Sequence, residues 1–333
     1  MTLLICNSNL FVPYILTKVL SEPSSEFIVL VDQECLERLF KFLNLSNIHL
    51  IKTINPSPKT PLKAKRIKRK LLDDLNYYHI NDLIFFHNEF GDITNWLIQK
   101  LSPKITVYHA HIYDSLPYPK ASNSLNKLKL KIKYFLLYNT PMDILYNGNR
   151  LIPSLPKTFF IKNKIQTIQY TADYNIIGNF INNKLGIEPS NNKKIILLTG
   201  SVVATNQVNE EIYTKYIDNI INYIGTNNIL SKCHPRFNDL LGEEKNLQQI
   251  PSFIPANIIL NNYQCFIGFN STLLVEAAIN GKIAISLIDF IPSSNEIISK
   301  NWHIFFNNRL QGKGIIHYPK NLEELSVILQ YQQ

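Results

Sequence analysis

Cysteine is scarce in this sequence of 333 residues, and the four cysteines form no metal-binding or redox pattern. None belongs to a C-x-x-C pair, and each lies in or beside an apolar run: Cys6, Cys35, Cys233 and Cys265. This placement predicts buried, reduced thiols and argues against a structural zinc site. The chain also lacks the G-x-G-x-x-G and G-x-x-x-x-G-K-S/T motifs, which disfavours a dinucleotide-binding dehydrogenase and a P-loop enzyme.

Long apolar runs are also missing. No stretch approaches the length of about 18 uninterrupted apolar residues that a transmembrane helix requires. The first residues, Met1 to Cys6, have no basic segment and no small-residue cleavage site, so they predict a strand rather than a signal peptide. We therefore expect a cytoplasmic protein, and peripheral contact with the inner membrane stays open.

Charged residues make up only 18% of the chain, but positive charge dominates, with a net charge of +9 and an isoelectric point of about 9.2. This balance favours anionic partners, and nucleic acid, an anionic membrane face and a phosphorylated glycolipid all fit. Two segments concentrate the charge, Lys63–Lys70 and Lys127–Lys133. Either could contact an anionic bilayer or glycolipid, or form a solvated helix face. No established nucleic-acid motif occurs, so we expect no nucleic-acid partner.

Short apolar runs alternate with helical patterns along both halves of the chain. In the first half, strands are predicted at residues 3–6, 27–31, 49–51, 82–86 and 105–108. In the second half, they are predicted at residues 193–199, 229–233, 265–268 and 283–287. The Asn-rich segment 178–193 is the predicted linker. This alternation is typical of parallel, doubly wound α/β sheets and predicts two Rossmann-like domains, residues 1–180 and 193–333, with a cleft between them.

Polar residues just after strands are the candidate site residues, because ligands of open parallel sheets bind beyond the carboxyl ends of the strands. In the first half, Glu89 follows a buried strand, and Gly91 lets the chain turn closely beside it. Asp92 suits the N-cap of the next helix, a structural role that is also open for Glu89. Asn7 and Asn9 follow the first strand and are candidates on the acceptor side.

Two histidines, His109 and His111, stand at alternate positions of another strand, with Asp114 shortly after them. Residues two apart on a strand share one face, but a third metal ligand would have to come from a loop, so a metal site is disfavoured. We expect His109 and His111 to line an acceptor pocket.

In the second half, His234 and Pro235 directly follow an apolar strand. A histidine there can donate to a phosphate oxygen and stabilise a leaving nucleotide, or it can lie in a surface turn. Lys232 and Arg236 add positive charge beside it.

Two further candidates follow strands of the second half. Ser271 and Thr272 open a helix, where hydroxyls and free N–H groups can hold a phosphate as well as cap the helix. Gly200 and Ser201 follow the first strand of this half, and Gly200 permits a close backbone approach to a ligand.

The order of these motifs, a strand-end acid followed by His-Pro and then Ser-Thr, resembles the bacterial sialyltransferases of the lipooligosaccharide and polysialic acid type. Those enzymes share an acidic D/E-D/E-G motif, an H-P motif and an S-S/T motif. The segments Ile195–Ser201, Asn209–Tyr213 and Ile250–Pro255 are similar to the family as well. The likeness is clearest over residues 193–290, and it implies a GT-B fold, a CMP-sialic acid donor and a glycan or glycolipid acceptor.

By this resemblance, Glu89 is the general base that deprotonates the acceptor hydroxyl, and His234 assists the departure of CMP. Ser271 and Thr272 hold the phosphate, and Pro255 to Asn257 lie near the ribose or base. The full set of residues expected in the donor site is Gly200, Ser201, Pro235, Pro255, Asn257, Ser271 and Thr272. Two departures from the family pattern occur: Glu89-Phe90-Gly91 has one acid instead of two, and Asn257 stands where the family often has a carboxylate.

The sequence thus predicts an inverting, metal-independent glycosyltransferase that needs no cofactor and moves sialic acid from CMP-sialic acid to lipooligosaccharide or capsule. Three alternatives stay open. Another CMP-activated acid sugar, such as Kdo or legionaminic acid, would use the same nucleotide, and a CDP-polyol phosphate would use a related one. A basic nucleic-acid-binding protein would leave the strand-end positions of Glu89, His234 and Ser271 unexplained.

Overall fold

The computed structural model describes residues 1–53, 58–86, 91–111, 124–147, 150–186, 194–199, 202–234 and 241–330. The chain divides into two compact units, Met1–Asp173 and Tyr174–Gln333. Each unit is built around its own six-stranded sheet, whose paired strands are all parallel. Both sheets have the strand order 3-2-1-4-5-6 of the doubly wound nucleotide-binding fold. The predicted α/β class is therefore confirmed.

The strands of the first unit are short and mostly apolar. They are β1 (Thr2–Cys6), β2 (Phe27–Val31), β3 (Ile48–Lys52), β4 (Asp82–Phe85), β5 (Thr106–His111), β6 (Asp143–Asn147), β7 (Arg150–Ser154) and β8 (Gln166–Gln169). The sheet order is β3-β2-β1-β4-β5-β8, and β6 and β7 form a separate antiparallel pair. All five residues of β2 are buried, as expected for a strand covered on both faces of a parallel sheet.

The helices of the first unit are α1 (Val12–Ser21), α2 (Glu34–Leu43), α3 (Pro61–Asn76), α4 (Asp92–Leu101), α5 (Ser124–Tyr138) and α6 (Lys157–Lys162). Local sequence explains how α3 begins. The Thr60 side chain accepts a hydrogen bond from the Lys63 N–H, and Pro61 occupies the first helical position, where a missing N–H costs nothing. The basic segment 63–70 therefore lies within one continuous helix.

In the second unit the strands are β9 (Ile195–Thr199), β10 (Ile229–Cys233), β11 (Gln248–Gln249), β12 (Cys265–Gly268), β13 (Ile283–Ser286) and β14 (Ile316–His317). Its helices are α7 (Tyr174–Leu185), α8 (Glu210–Ile224), α9 (Leu241–Glu244), α10 (Thr272–Ile279), α11 (Glu296–Leu310) and α12 (Leu322–Gln330). A 3₁₀ segment spans Ala256–Asn262. The sheet order is β11-β10-β9-β12-β13-β14.

The boundary between the units falls before the segment that the sequence predicts as a linker. Residues 178–185 of that segment belong to α7, which packs on the 3₁₀ segment. Ile177, Gly178 and Ile181 are buried on its inner face. A β-carbon at Gly178 would lie 3.1 Å from the Asn262 Oδ1, so glycine permits close packing here. The Asn and Gly content that predicts a linker thus belongs partly to a packed helix.

All four cysteines are free thiols. Cys6 and Cys265 are buried as expected, whereas Cys35 and Cys233 are partly exposed. Burial raises the pKa of the Cys6 thiol well above its usual value, and the charge of Asp32 raises it further, so this thiol stays protonated. Among the described helices, none combines the length and apolar content that crossing a bilayer requires.

Gly314, in the loop between α11 and β14, is expected to tolerate no side chain. Its φ is +85°, and a β-carbon there would overlap the carbonyl group of Ala278. We expect Gly314→Ala to lower the free energy of unfolding by at least about 2 kcal/mol, because backbone strain and the overlap add. Gly312→Ala is the matched control, since its φ is +76° with no atom within 4 Å. Urea unfolding followed by Trp302 fluorescence measures both, and equal losses would contradict the overlap.

Candidate functional site

The carboxyl edge of the second sheet has a topological switch point. β9 pairs with β10 on one side and β12 on the other, so the strand order turns from one side of β9 to the other between β11 and β12. Crevices that bind ligands form at such points in open α/β sheets. Thr199, His234 and Phe269 end or follow these three strands, and adjacent strands lie about 4.8 Å apart. The switch point thus brings three distant segments to one edge, and the predicted residue His234 is among them.

His234 is held at this edge by its own backbone. Cys233 pairs with Thr199 across the two strands, and the His234 N–H donates to the Thr199 carbonyl at 3.1 Å. The His234 residue is partly exposed. The Thr199 hydroxyl is buried and has no hydrogen-bond partner within the described part of the chain. Gly200, Ser201 and Pro235, which were predicted beside these residues, lie outside the described residues.

Ser271 is the N-cap of α10, where its side chain accepts from the Leu273 N–H at 3.3 Å. Thr272 is the first residue of the helix and is exposed. An accepting hydroxyl still has its own proton to donate, and the first N–H groups of a helix attract anions. The N-terminus of α10 therefore has the chemistry of a phosphate site.

Two close contacts fix the turn that leads into α10. A β-carbon at Gly268 would lie 3.0 Å from the Leu198 Cβ, so the neighbouring strand requires a glycine there. The buried Ser286 hydroxyl donates to the Phe269 carbonyl at 2.7 Å. The backbone before Ser271 is therefore set by both neighbouring strands of the sheet.

Gln207, which sequence reasoning missed, connects the loops of this edge. Its side-chain oxygen accepts from the Asn270 amide at 2.7 Å and from the Trp302 indole N–H at 3.1 Å. Gln207 follows β9, so the strand-end rule could have found it. Nothing in the sequence pairs it with Trp302, which lies 95 residues further on.

Lys232, the residue two positions before His234, is held by backbone carbonyls. It is 2% exposed, and its ammonium donates to the Cys233 carbonyl at 2.6 Å and the Ser252 carbonyl at 3.2 Å. These hydrogen bonds leave the charge of the ammonium in place, so the expectation that Lys232 adds positive charge beside His234 stays a prediction. Its bond to the Ser252 carbonyl also anchors the segment that follows β11. Arg236 lies outside the described residues.

Pro255 and Asn257 lie in that anchored segment. The Ile250 N–H donates to the Ser231 carbonyl at 3.0 Å, so the chain runs beside β10 before reaching Pro255. Pro255 precedes the 3₁₀ segment, and both Pro255 and Asn257 are buried. Residues 250 and 252, just before the expected ribose-side segment, are thus bonded to β10, and the 3₁₀ segment itself packs on α7 and α10.

The first sheet has the same kind of switch point, between β1 and β4. Asn7 directly follows β1 and is 4% exposed, and its amide nitrogen has no hydrogen-bond partner among the described residues. The Asn9 side chain accepts weakly from the Cys35 thiol, at 3.9 Å. Glu89 belongs to segment 87–90, outside the described residues, between the end of β4 and Gly91.

Gly91 and Asp92 follow that segment. Gly91 has a φ of +72° and is the N-cap of α4, so the expectation that Asp92 is the N-cap is wrong. Asp92 is the first helical residue, and it accepts from the Ile93 N–H at 3.0 Å and the Tyr138 hydroxyl at 2.9 Å. Burial and the Asp92 charge raise the pKa of Tyr138 far above its usual value. Asp92 therefore ties α4 to α5 structurally.

His109, in β5, lies among aromatic side chains of the first unit. The His109 ring stacks on Phe85, with ring centres 4.9 Å apart, and meets Phe160 edge-on at 5.7 Å. It is part of an aromatic cluster and only partly exposed. His111 ends β5 opposite Gln169, and its side chain is not among those described.

No protein-family model matches the chain, and no curated protein matches its sequence. A UDP-GlcNAc 2-epimerase from Methanocaldococcus jannaschii is similar in structure, with a TM-score of 0.50 and 13% identity, over 99% of this chain and 92% of that one. A sialyltransferase from Photobacterium damsela has a TM-score of 0.50 and 13% identity, over 96% and 81%. With its two doubly wound sheets, the chain therefore has the GT-B fold that the sequence motifs predicted.

Proposed function

We propose that the chain is a glycosyltransferase that moves sialic acid from CMP-sialic acid to a surface glycan or glycolipid, and that the second unit binds the CMP moiety. The observation that carries this proposal is the set of groups at the carboxyl ends of β9, β10 and β12. They are the buried Thr199 hydroxyl, the partly exposed His234 and the Ser271-capped start of α10. The GT-B fold supports the wider class of sugar-nucleotide enzymes.

The spacing of these groups suits a nucleotide phosphate. His234 and the start of α10 follow strands that are two positions apart, which separates their backbones by about 10 Å. A phosphate held by the α10 N-terminus and by the Ser271 hydroxyl leaves room for the imidazole on its other side. In this proposal the helix dipole and His234 supply the positive charge that the departing phosphate needs, without a metal.

The proposed reaction is a single displacement with inversion. The acceptor oxygen forms its bond to the anomeric carbon as the bond from that carbon to the CMP phosphate oxygen breaks. Glu89 takes the proton of the acceptor hydroxyl, and His234 donates to the phosphate as its charge grows. Asn7, at the switch point of the first sheet, is proposed on the acceptor side, where its buried amide nitrogen has no hydrogen-bond partner among the described residues. The choice of sialic acid as the transferred sugar comes from the motif resemblance. The choice of CMP as the donor nucleotide can be tested by binding.

We expect CMP to raise the melting temperature of the protein more than UDP, GDP or CDP does. At a CMP concentration about a hundred times its Kd, binding stabilises the native state by about 2.7 kcal/mol. Differential scanning fluorimetry with the four nucleotides measures the order. A clear preference for CDP would favour a polyol-phosphate donor, and no response to CMP would contradict the proposal. Incubation with CMP-sialic acid and galactose-terminated acceptors, read by mass spectrometry, then tests transfer.

Ser271→Gly is the matched variant for this titration. Glycine is tolerated at an N-cap at a cost of only a few tenths of a kcal/mol, so the fold is kept while the phosphate-binding hydroxyl is removed. The CMP-induced shift should shrink, whereas Ser326→Ala, within α12, should leave it unchanged. An unchanged shift in Ser271→Gly would remove that hydroxyl from the donor site.

A further inference from the structure

Helix α5 of the first unit has two apolar faces. One face, formed by Tyr134, Leu137 and Tyr138, is buried in the core of the unit. The opposite face is exposed to solvent, with each side chain between 51% and 68% exposed. We call it the α5 outer face, and it consists of Leu125, Leu128, Ile132, Phe135 and Leu136. Such a stripe at helical spacing normally faces a core, so its exposure indicates a partner.

Helical geometry makes the α5 outer face continuous. At 3.6 residues per turn its five side chains fall within an arc of about 100°. Lys129 and Lys133 border this arc on one side, and Lys131, which also pairs with Asp143 at 2.7 Å, borders it on the other. Lysines in such positions can lay their stems along apolar surface while their ammonium groups reach outward.

Helix α3 extends the positive charge beside α5. The two helices pack together, and the Lys68 ammonium donates to the Leu137 carbonyl at 3.1 Å. The same ammonium lies 5.6 Å from the centre of the Trp96 ring, and burial lowers its pKa. The exposed basic side chains of α3 are Lys63, Lys65, Arg66, Arg69 and Lys70. Lys68 thus holds a strongly basic helix next to an apolar surface.

A recess continues the apolar surface beyond the helix. A cavity of about 510 Å³ is lined mainly by apolar side chains, among them Phe135, Leu136, Met142 and Pro156. Lys131, Asp143 and Lys157 also line it, and the Lys131 ammonium pairs with the Asp143 carboxylate at 2.7 Å. The recess therefore extends the apolar surface, and Lys157 adds a positive charge at its wall.

We propose that the α5 outer face docks on an anionic lipid bilayer, a property that goes beyond the proposed function. The five apolar side chains enter the boundary between headgroups and acyl chains, while the lysines of α5 and the basic face of α3 contact lipid phosphates. Charge decides between this partner and others. A second copy would bring the bordering lysines against each other if it used the same face, and protein interface cores are depleted in lysine.

Vesicle flotation of the full chain tests the proposal. We expect binding to phosphatidylcholine vesicles that contain phosphatidylglycerol, weak binding to phosphatidylcholine alone, and loss of binding as salt rises. Ile132→Ser with Phe135→Ser should lower the partition coefficient by about tenfold or more, and Lys129→Ala by about fivefold. Val327→Ser is the control, because Val327 is 54% exposed on α12 of the second unit. Equal binding to both vesicles, or an unaffected double variant, would overturn the proposal.

A second measurement locates the contact. Phe135→Trp should lose fluorescence with brominated lipids in anionic vesicles, whereas Val327→Trp should not, above the background of Trp96 and Trp302. Sedimentation without vesicles tests the competing occupant. A dimer that becomes monomeric in the Ile132→Ser, Phe135→Ser variant, with no vesicle binding by the parent protein, would assign the face to a second copy and overturn the bilayer proposal.

Discussion

Replacing His234 with alanine is expected to lower kcat for sialic acid transfer by about a hundredfold or more. The imidazole follows β10 at the switch point of the second sheet, and the Thr199 carbonyl fixes its backbone. Removing a group that stabilises the leaving phosphate costs about 2.7 kcal/mol in the transition state for each hundredfold. The measurement is initial-rate kinetics with saturating CMP-sialic acid, with CMP binding determined separately by calorimetry.

His317→Ala is the control for this variant, because His317 also lies in the second unit, in β14 at the edge of the sheet. Its rate should stay within about twofold of the parent rate, within the roughly 0.5 kcal/mol usual for changes away from a key feature. If His234→Ala folded normally and transferred sialic acid at the parent rate, His234 would have no part in catalysis.

Glu89→Gln is expected to lower transfer by about a hundredfold or more while leaving CMP affinity unchanged. Glutamine keeps the shape of the side chain but cannot take a proton, so only the step that deprotonates the acceptor is lost. Glu89 follows β4, the strand next to β1 at the switch point of the first sheet. Kinetics with CMP-sialic acid, and CMP titration of the same variant, separate the two effects.

Asp82→Asn is the matched control for Glu89→Gln. Asp82 is a carboxylate at the opposite, amino end of the same strand, so it tests for a general effect of removing charge from β4. Near-parent transfer by Glu89→Gln would show that the base assignment is wrong. A fall in CMP affinity equal to the fall in rate would instead assign Glu89 to binding.

The central strands of both sheets could be predicted because strands buried on both faces are almost entirely apolar in sequence. β2 and β12 are fully buried, and their predicted bounds, 27–31 and 265–268, match the structure. The outer strands could not be predicted in this way. β8 has the sequence Gln-Thr-Ile-Gln and β11 is Gln248–Gln249, and both are mostly exposed edge strands without an apolar pattern. Edge pairing depends on the neighbouring strand, which local sequence does not reveal.

The candidate site likewise has features that local sequence reveals and contacts that only the folded chain forms. Placing polar residues after strands was sufficient to predict that His234 and Ser271 lie at one edge of the sheet, because topology alone brings strand ends together. The role of Lys232 could not be predicted, since only the folded chain brings the Ser252 carbonyl to its ammonium. The link from Gln207 to Trp302 likewise depends on where α11 packs. Strand ends are a local signal, whereas the contacts that orient them are long-range.

The strand order has a consequence for how the protein is made. In each unit, the first strand synthesised is central, and every later sheet strand pairs with one that was synthesised before it. β8, the last strand of the first sheet, is translated before residue 174, and β9 then begins the second sheet anew. Each unit is one uninterrupted stretch of chain, so the first can finish its sheet while the second is still being translated. Each new strand therefore adds to a free edge of the existing sheet, and none has to insert between two strands that are already paired.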